Sequence, residues 1–230
     1  MKDVKDNMTI NETESNSSSR RSFFGNALLG VGTVAAVGGA LALGVQNADA
    51  QNAPSDIDIL NYALTLEHLE AAFYREGLDR FGFDDFVNGN FTTNFTGDPS
   101  GGLALGVYDF FRSIREHERI HVTTLVQVIR SLGGTPVGPC RYNFGYSNVD
   151  QFLGVAQALE NTGVMAYDGA IAMLRNPDLR TAGATIATVE ARHAAVLNLL
   201  NGASPFPAAF DTPKTMAEIL GIAGRFIVAC

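Results

Sequence analysis

Four stretches of this chain carry the 3.6-residue spacing of amphipathic helices, and each interrupts its apolar stripe with a glutamate. In the first, Leu60, Leu64, Glu67, Ala71, Tyr74 and Leu78 step along one face. The second stripe is Val107, Phe110, Ile114, Glu118, His121, Leu125, Val128 and Leu132. The third gives Leu153, Ala156, Glu160, Gly163, Tyr167, Ile171 and Leu174, and the fourth Ala182, Ile186, Glu190, His193, Leu197 and Leu200. An ionised carboxylate buried without a partner costs several kcal/mol, so four in one core demand neutralising cations. No Lys lies on these faces and the Arg residues lie off them, which leaves metal ions as the economical source of positive charge.

Two of the four acids are followed by histidine at i+3, as Glu118/His121 and Glu190/His193. Residues 51–230 hold eight Glu and four His. Chance supplies roughly 0.2 such pairs in that composition. The spacing sets both side chains on one helix face, one turn apart, where both can reach the same ion. Height along the bundle agrees: Glu67 and Glu118 lie about 18 and 22 Å from the end their two helices share, at 1.5 Å per residue. On the second hairpin the offsets reverse, so all four acids can meet at one level. The hairpins also read as copies, since Leu66-Glu67 with Tyr74 parallels Leu159-Glu160 with Tyr167. That parallel selects Glu67 over Glu70 as the acid of its helix, because Gly163 matches Glu70.

Helical periodicity is expected over about residues 55–79, 103–132, 148–175 and 178–200, with no convincing strand. A fifth helix fits 213–228, with Thr212 as its cap and Pro213 in its first turn. The nearly absent turn at Asn176-Pro177 makes the third and fourth helices an antiparallel hairpin. Residues 133–147 could span about 50 Å when extended, enough to cross from one hairpin to the other. Residues 80–102 form a long Phe-rich loop able to serve as a lid. Its Asp84, Asp85, Asn88 and Asn90 do not match the spacing of a calcium loop, and the sequons at Asn90 and Asn94 are read as incidental. The expected architecture is all-α: two antiparallel helical hairpins joined by a crossover, plus a C-terminal helix.

This arrangement resembles the ferritin-like superfamily, in which a Glu from each of two helices and an E-x-x-H from each of the other two hold a di-iron or di-manganese centre in a four-helix bundle. The resemblance covers about residues 56–201 and implies Glu67, Glu118, His121, Glu160, Glu190 and His193 as ligands, with Glu118 and Glu190 bridging. Leu66-Glu67-His68-Leu69-Glu70-Ala71-Ala72-Phe73-Tyr74, Tyr142-Asn143-Phe144-Gly145-Tyr146 and Ala191-Arg192-His193 look more closely like exported ferritin-like proteins that include desiccation-related and fungal stress-response members. Tyr74 and Tyr167 lie one to two turns from the metals, placed to bond ligands, to donate electrons or simply to fill the core. His68 and His117 adjoin ligands in sequence but point to other faces.

Residues 1–50 have a different character. An Asn/Ser/Thr/Glu-rich start reads as disordered, and Arg20-Arg21-Ser22-Phe23-Phe24 then opens an uncharged Gly/Ala/Leu/Val stretch through Val45. With Ala48-Asp49-Ala50 as an A-x-A site, the segment resembles a twin-arginine (Tat) export signal recognised by the Tat machinery. An uncleaved membrane anchor is the competing reading. Export places residues 51–230, the ferritin-like domain, in a periplasmic or extracellular setting where Cys140 and Cys230 either pair or remain buried thiols.

Composition removes other classes. A net charge of −8 repels nucleic acid, and two cysteines are too few for a zinc ribbon or a Cys₄ iron–sulfur site. Two Fe or two Mn ions suit the carboxylate-rich donor set. The leading expectation is reaction of that site with O2 or hydrogen peroxide, in the manner of manganese catalases. A non-catalytic metal-binding stress protein is the alternative, and the oligomeric state, including a homo-oligomer, stays open.

Overall fold

A computed structural model describes residues 53–89 and 102–230, with the backbone alone for 102–105. The export segment, both sequons and most of the expected lid lie outside the described residues. Helix α1 (Asp56–Arg80) is followed by the short α2 (Phe83–Val87), then α3 (Gly102–Ser131), α4 (Val149–Ile171), α5 (Pro177–Leu200) and α6 (Met216–Ala223). Strands β1 (Arg141–Tyr142) and β2 (Ile227–Ala229) form one small antiparallel pair. Among the described residues no helix is long and apolar enough to cross a membrane.

Local chemistry sets the helix starts. Ser55 and Asp58 form a reciprocal capping box, with Asp58 N–H donating to Ser55 Oγ at 3.2 Å and Ser55 N–H donating to Asp58 Oδ2 at 2.8 Å. Asn148 and Asn176 cap α4 and α5, and Pro177 occupies the first turn of α5, where its missing N–H costs nothing. Helix α1 packs along α3, α4 along α5, and the two hairpins meet through α1 against α4. That is the expected all-α bundle of two antiparallel hairpins.

The crossover between hairpins is strapped to α1. Asn61 Nδ2 donates to the Thr135 carbonyl at 3.1 Å and Asn61 Oδ1 accepts from Val137 N–H at 2.9 Å. Farther along α1, His68 Nε2 lies 3.1 Å from the Val137 carbonyl, and Arg80 donates to the carbonyls of Tyr146 and Ser147 at 2.9 and 3.1 Å. From Asn61 to Arg80 is about 28 Å of helix, so the segment does run the length of the bundle.

An aromatic cluster fills the end of the core near Arg80. Phe73 stacks on Phe152 at 4.6 Å between centroids, and Phe111 and Phe86 close around them at 5.0 Å from each other. Gly77 makes this possible, because a Cβ there would collide with the Phe152 ring.

Several local expectations change. On α3 the buried ring is Phe111 and not Phe110, which is 39% exposed; Leu132 also faces solvent. Helix α4 ends at Ile171, four residues early, because Asp56 accepts from the Arg175 and Asn176 N–H groups at 2.7 and 3.0 Å and holds them in a turn. The last helix is shorter than expected and starts after Thr215, not Thr212. Lys214 N–H is bound to the Met165 carbonyl at 3.1 Å, and a Thr215/Glu218 capping box fixes the start one step later. Beyond Gly224 the chain pairs with β1, and Cys140 is disulfide-bonded to Cys230 across that pair.

The bridge closes a loop of sequence separation 90. Replacing both cysteines with serine should lower unfolding free energy by about 2–4 kcal/mol. Melting curves that superimpose for the variant and the parent would rule out this contribution.

Candidate metal centre

The four helices bring the six expected side chains together at mid-bundle. Glu67 projects from α1, Glu118 and His121 from α3, Glu160 from α4, and Glu190 and His193 from α5. All four carboxylates are fully buried, and His121 and His193 are 8% and 5% exposed. Candidate ligand atoms converge in two sets: Glu67, Glu118, His121 and Glu190, and Glu118, Glu160, Glu190 and His193. Within each set the atoms lie within 4.8 Å of one another, and Glu118 and Glu190 belong to both.

The ring nitrogens are overcommitted. His121 Nδ1 lies 3.2 Å from Glu67, 3.3 Å from Glu118 and 3.2 Å from Glu190. His193 Nδ1 lies 3.1 Å from Glu160 and 3.3 Å from Glu118. One nitrogen carries at most one proton and cannot serve three carboxylates at once. Glu118 Oε1 and Glu190 Oε1 are accordingly within ion-pair reach of a ring nitrogen but lack a directed hydrogen bond, and Glu190 Oε2 has no partner. Buried oxygens left so are expected where a cation completes the shell. Oxygen and imidazole donors without thiolate fit a hard or intermediate metal ion.

Two tyrosines fix the acids of the facing helix. Tyr74 on α1 donates to Glu160 on α4 at 2.5 Å, and Tyr167 on α4 donates to Glu67 on α1. Burial, then the charge of the bonded glutamate, pushes both phenols well above their ordinary range, so the O–H groups stay protonated donors. The pair is reciprocal, as the matched hairpins require.

Two residues acquire roles that stripe-tracing did not assign. His117 was expected on another face, yet its Nδ1 lies 2.9 Å from His193 Nε2 and its ring stacks on His193 at 5.2 Å. The His193 ring spans from α5 to α3 and presents its far nitrogen there. Val189 occupies the matching position in the other hairpin, so the contact is one-sided. Glu70, one turn beyond Glu67, is also buried at 4% exposure; its i+3 spacing from Glu67 was the available signal. His68 instead serves the crossover.

Without cations the cluster must hold protons. Burial and the Glu67 charge lift Glu118 to about 7, while burial and the charges of Glu118 and Glu160 push Glu190 well above the carboxylate range. Burial opposes charging of the imidazoles, but bonds to Glu118 and Glu160 outweigh it and raise His193 to about 9; Glu118, Glu190 and Glu67 likewise raise His121. Glu67 goes the other way: burial raises it, but His121 prevails and holds it below its ordinary value of 4.5, a contribution already complete above that pH.

The raised groups bind more protons folded than unfolded, so their stabilisation is present at low pH and lost on going up through the folded values. Metal-free protein should therefore melt at progressively lower temperature from about pH 5 to 9. Bound metal replaces those protons, so the slope should shrink on loading with Mn2+. A metal-free melting temperature that climbs across this range would contradict the assignment.

A family model for the ferritin-like domain matches residues 55–203. The chain is 25% identical over 178 residues to Protein rds1 of Schizosaccharomyces pombe, covering 76% of this chain and only 40% of that protein's length. The crystal structure of a conserved hypothetical protein, rv2844, from Mycobacterium tuberculosis aligns with a TM-score of 0.51 at 21% identity, over 67% of this chain and 96% of that one. With a family match spanning the whole bundle and a buried Glu/His cluster drawn from all four of its long helices, the chain belongs to the ferritin-like domain family.

Proposed function

We propose that this is an exported ferritin-like protein in which Glu67, Glu118, His121, Glu160, Glu190 and His193 hold two iron or two manganese ions that react with O2 or hydrogen peroxide, protecting the cell envelope under oxidative and desiccation stress. The observation that carries the reading is the sharing of Glu118 and Glu190 between two four-residue sets. A single cation would need one set, whereas a pair bridged by two carboxylates uses both. When bound, such a pair supplies the electrons and open positions that reduction of O2 or peroxide requires.

The chain's own residues supply the rest. Tyr74 and Tyr167 hold the terminal carboxylates by their O–H groups and keep their orientation fixed. Burial excludes bulk water from the acids. Beside Tyr167 lies a cavity of about 50 Å³ lined by apolar side chains including Leu60, Leu125, Leu174 and Ile186, a size that suits a diatomic or similarly small reagent and excludes bulky substrates. Support for export comes from the paired arginines and A-x-A site of residues 20–50 and from the Cys140–Cys230 disulfide, which suits an oxidising compartment.

Purified protein should take up two equivalents of Fe or Mn, and a Glu118→Ala/Glu190→Ala variant should lose both. Metal-free protein that stays folded and binds neither ion would overturn the proposal. Peroxide turnover by loaded protein, absent in the double variant, would mark an enzyme; full occupancy with no reaction toward peroxide or O2 would leave a metal-binding protein.

The export assignment has a separate check. Mass spectrometry of the native protein should find an N-terminus near Gln51, and retention of residues 1–50 would refute cleavage.

A further inference from the structure

Five carboxylates, not four, are buried at this level of the bundle. Glu70 is 4% exposed, and no hydrogen bond or ion pair reaches its carboxylate among the described residues. Packing alone does not explain it, since an apolar side chain would fill the same space without the several kcal/mol that burying an unpaired charge costs. Its neighbours make the cost greater: burial first, then Glu190, Glu160, Glu118 and Glu67 in that order, drive its carboxyl well above the ordinary range.

Glycine on the facing helix makes room for it. A Cβ on Gly163 would stand 3.1 Å from Glu190 Oε2 and 3.3 Å from Glu70 Oε1, so the two oxygens flank one small space beside α4. Glu190 Oε2 is itself fully buried and without a partner. When the two hairpins are matched through Glu67/Glu160 and Tyr74/Tyr167, Gly163 is the counterpart of Glu70. One hairpin therefore carries an extra acid where the other carries no side chain at all. Solvent is not an adequate partner: the adjoining cavity, lined by Leu66, Leu69, Leu159 and Thr162 among others, measures about 10 Å³, room for one water at most. Thr162 spends its hydroxyl proton on the Ala158 carbonyl.

We propose that Glu70 is a seventh protein ligand of the centre, closing on the cation position bounded by Glu118, Glu160, Glu190 and His193. This rests on the reading of the cluster as a two-metal site and deepens it. The position bounded by Glu67, Glu118, His121 and Glu190 keeps three carboxylates, while the other has four, so the two are electrostatically unequal. The more anionic position binds the second cation more tightly than the six-residue set alone would, and it favours the higher charge state of that cation.

Cobalt(II) is a suitable probe because its visible absorption reports coordination number. Wild-type protein, Glu70→Gln and Gly163→Ala are titrated with Co2+ alone, with absorption spectra recorded at each step. In Glu70→Gln one equivalent should bind as in wild type. The other should bind about tenfold or more weakly, with stronger absorption as a ligand is lost. Gly163→Ala keeps both acids and wedges a methyl between them, and should perturb the same equivalent. Metal-free Glu70→Gln should melt at or above the wild-type temperature; a much lower value would make Glu70 structural and overturn the proposal. Superimposable isotherms and spectra for wild type and Glu70→Gln, each with two equivalents, would overturn it while leaving the two-metal reading intact. Failure of wild type to bind Co2+ would sink both together.

Discussion

Four carboxylates with no solvent exposure in the centre of one small bundle form the constraint on which the rest of the structure depends. Carboxylates this deep lose their hydration, and two imidazoles can return only part of the lost stabilisation. The helices must therefore hold the acids at one height, aim them at a common volume and keep other polar groups from competing. The reciprocal Tyr74–Glu160 and Tyr167–Glu67 bonds meet part of this demand and link α1 to α4, the interface where the two hairpins meet. The same contacts that order the acids also fix how the hairpins dock.

Pseudo-twofold matching of the hairpins explains why the site is nearly symmetric, and its breaks mark where the two halves diverge. Glu70 faces Gly163, and His117 stacks on His193 while its counterpart is Val189. Both departures fall on the side of the cluster that includes Glu160, Glu190 and His193. A symmetric pair of ions would have no use for either. Unequal surroundings give two otherwise similar positions different affinities and different preferences for charge.

Much of this was legible in the sequence because helices impose a strict period. Any side chain out of character on an apolar stripe stands out, and the i+3 spacing of Glu118/His121 and Glu190/His193 is visible without coordinates. Where the period gives way to competition between local bonds, reading fails. The early end of α4 depends on Asp56, over a hundred residues away, and the late start of α6 on a carbonyl of α4. Phe110 and Phe111 differ by a rotation of 100° about the helix axis, which a stripe drawn by steps of three or four cannot resolve. The β1–β2 pair is too short to show alternation and exists where the disulfide brings its strands together. His117 was missed for another reason: a ligand ring has two nitrogens, and the outer one contacts a face that core-tracing ignores.

The peripheral features then acquire a common purpose. A core of mutually repelling acids is a source of instability whenever it is unfilled, and the bundle has to keep its shape in that state if it is to accept metal at all. The crossover bonded to Asn61, His68 and Arg80 splints α1 along most of its length, and the Cys140–Cys230 bridge ties the end of the chain to that same crossover. Neither touches the acids. The aromatic cluster of Phe73, Phe86, Phe111 and Phe152 adds apolar burial one end removed from the charges, where it is insensitive to their protonation. Stability is thus concentrated away from the centre, which leaves the acidic level free to be arranged for the cations it receives.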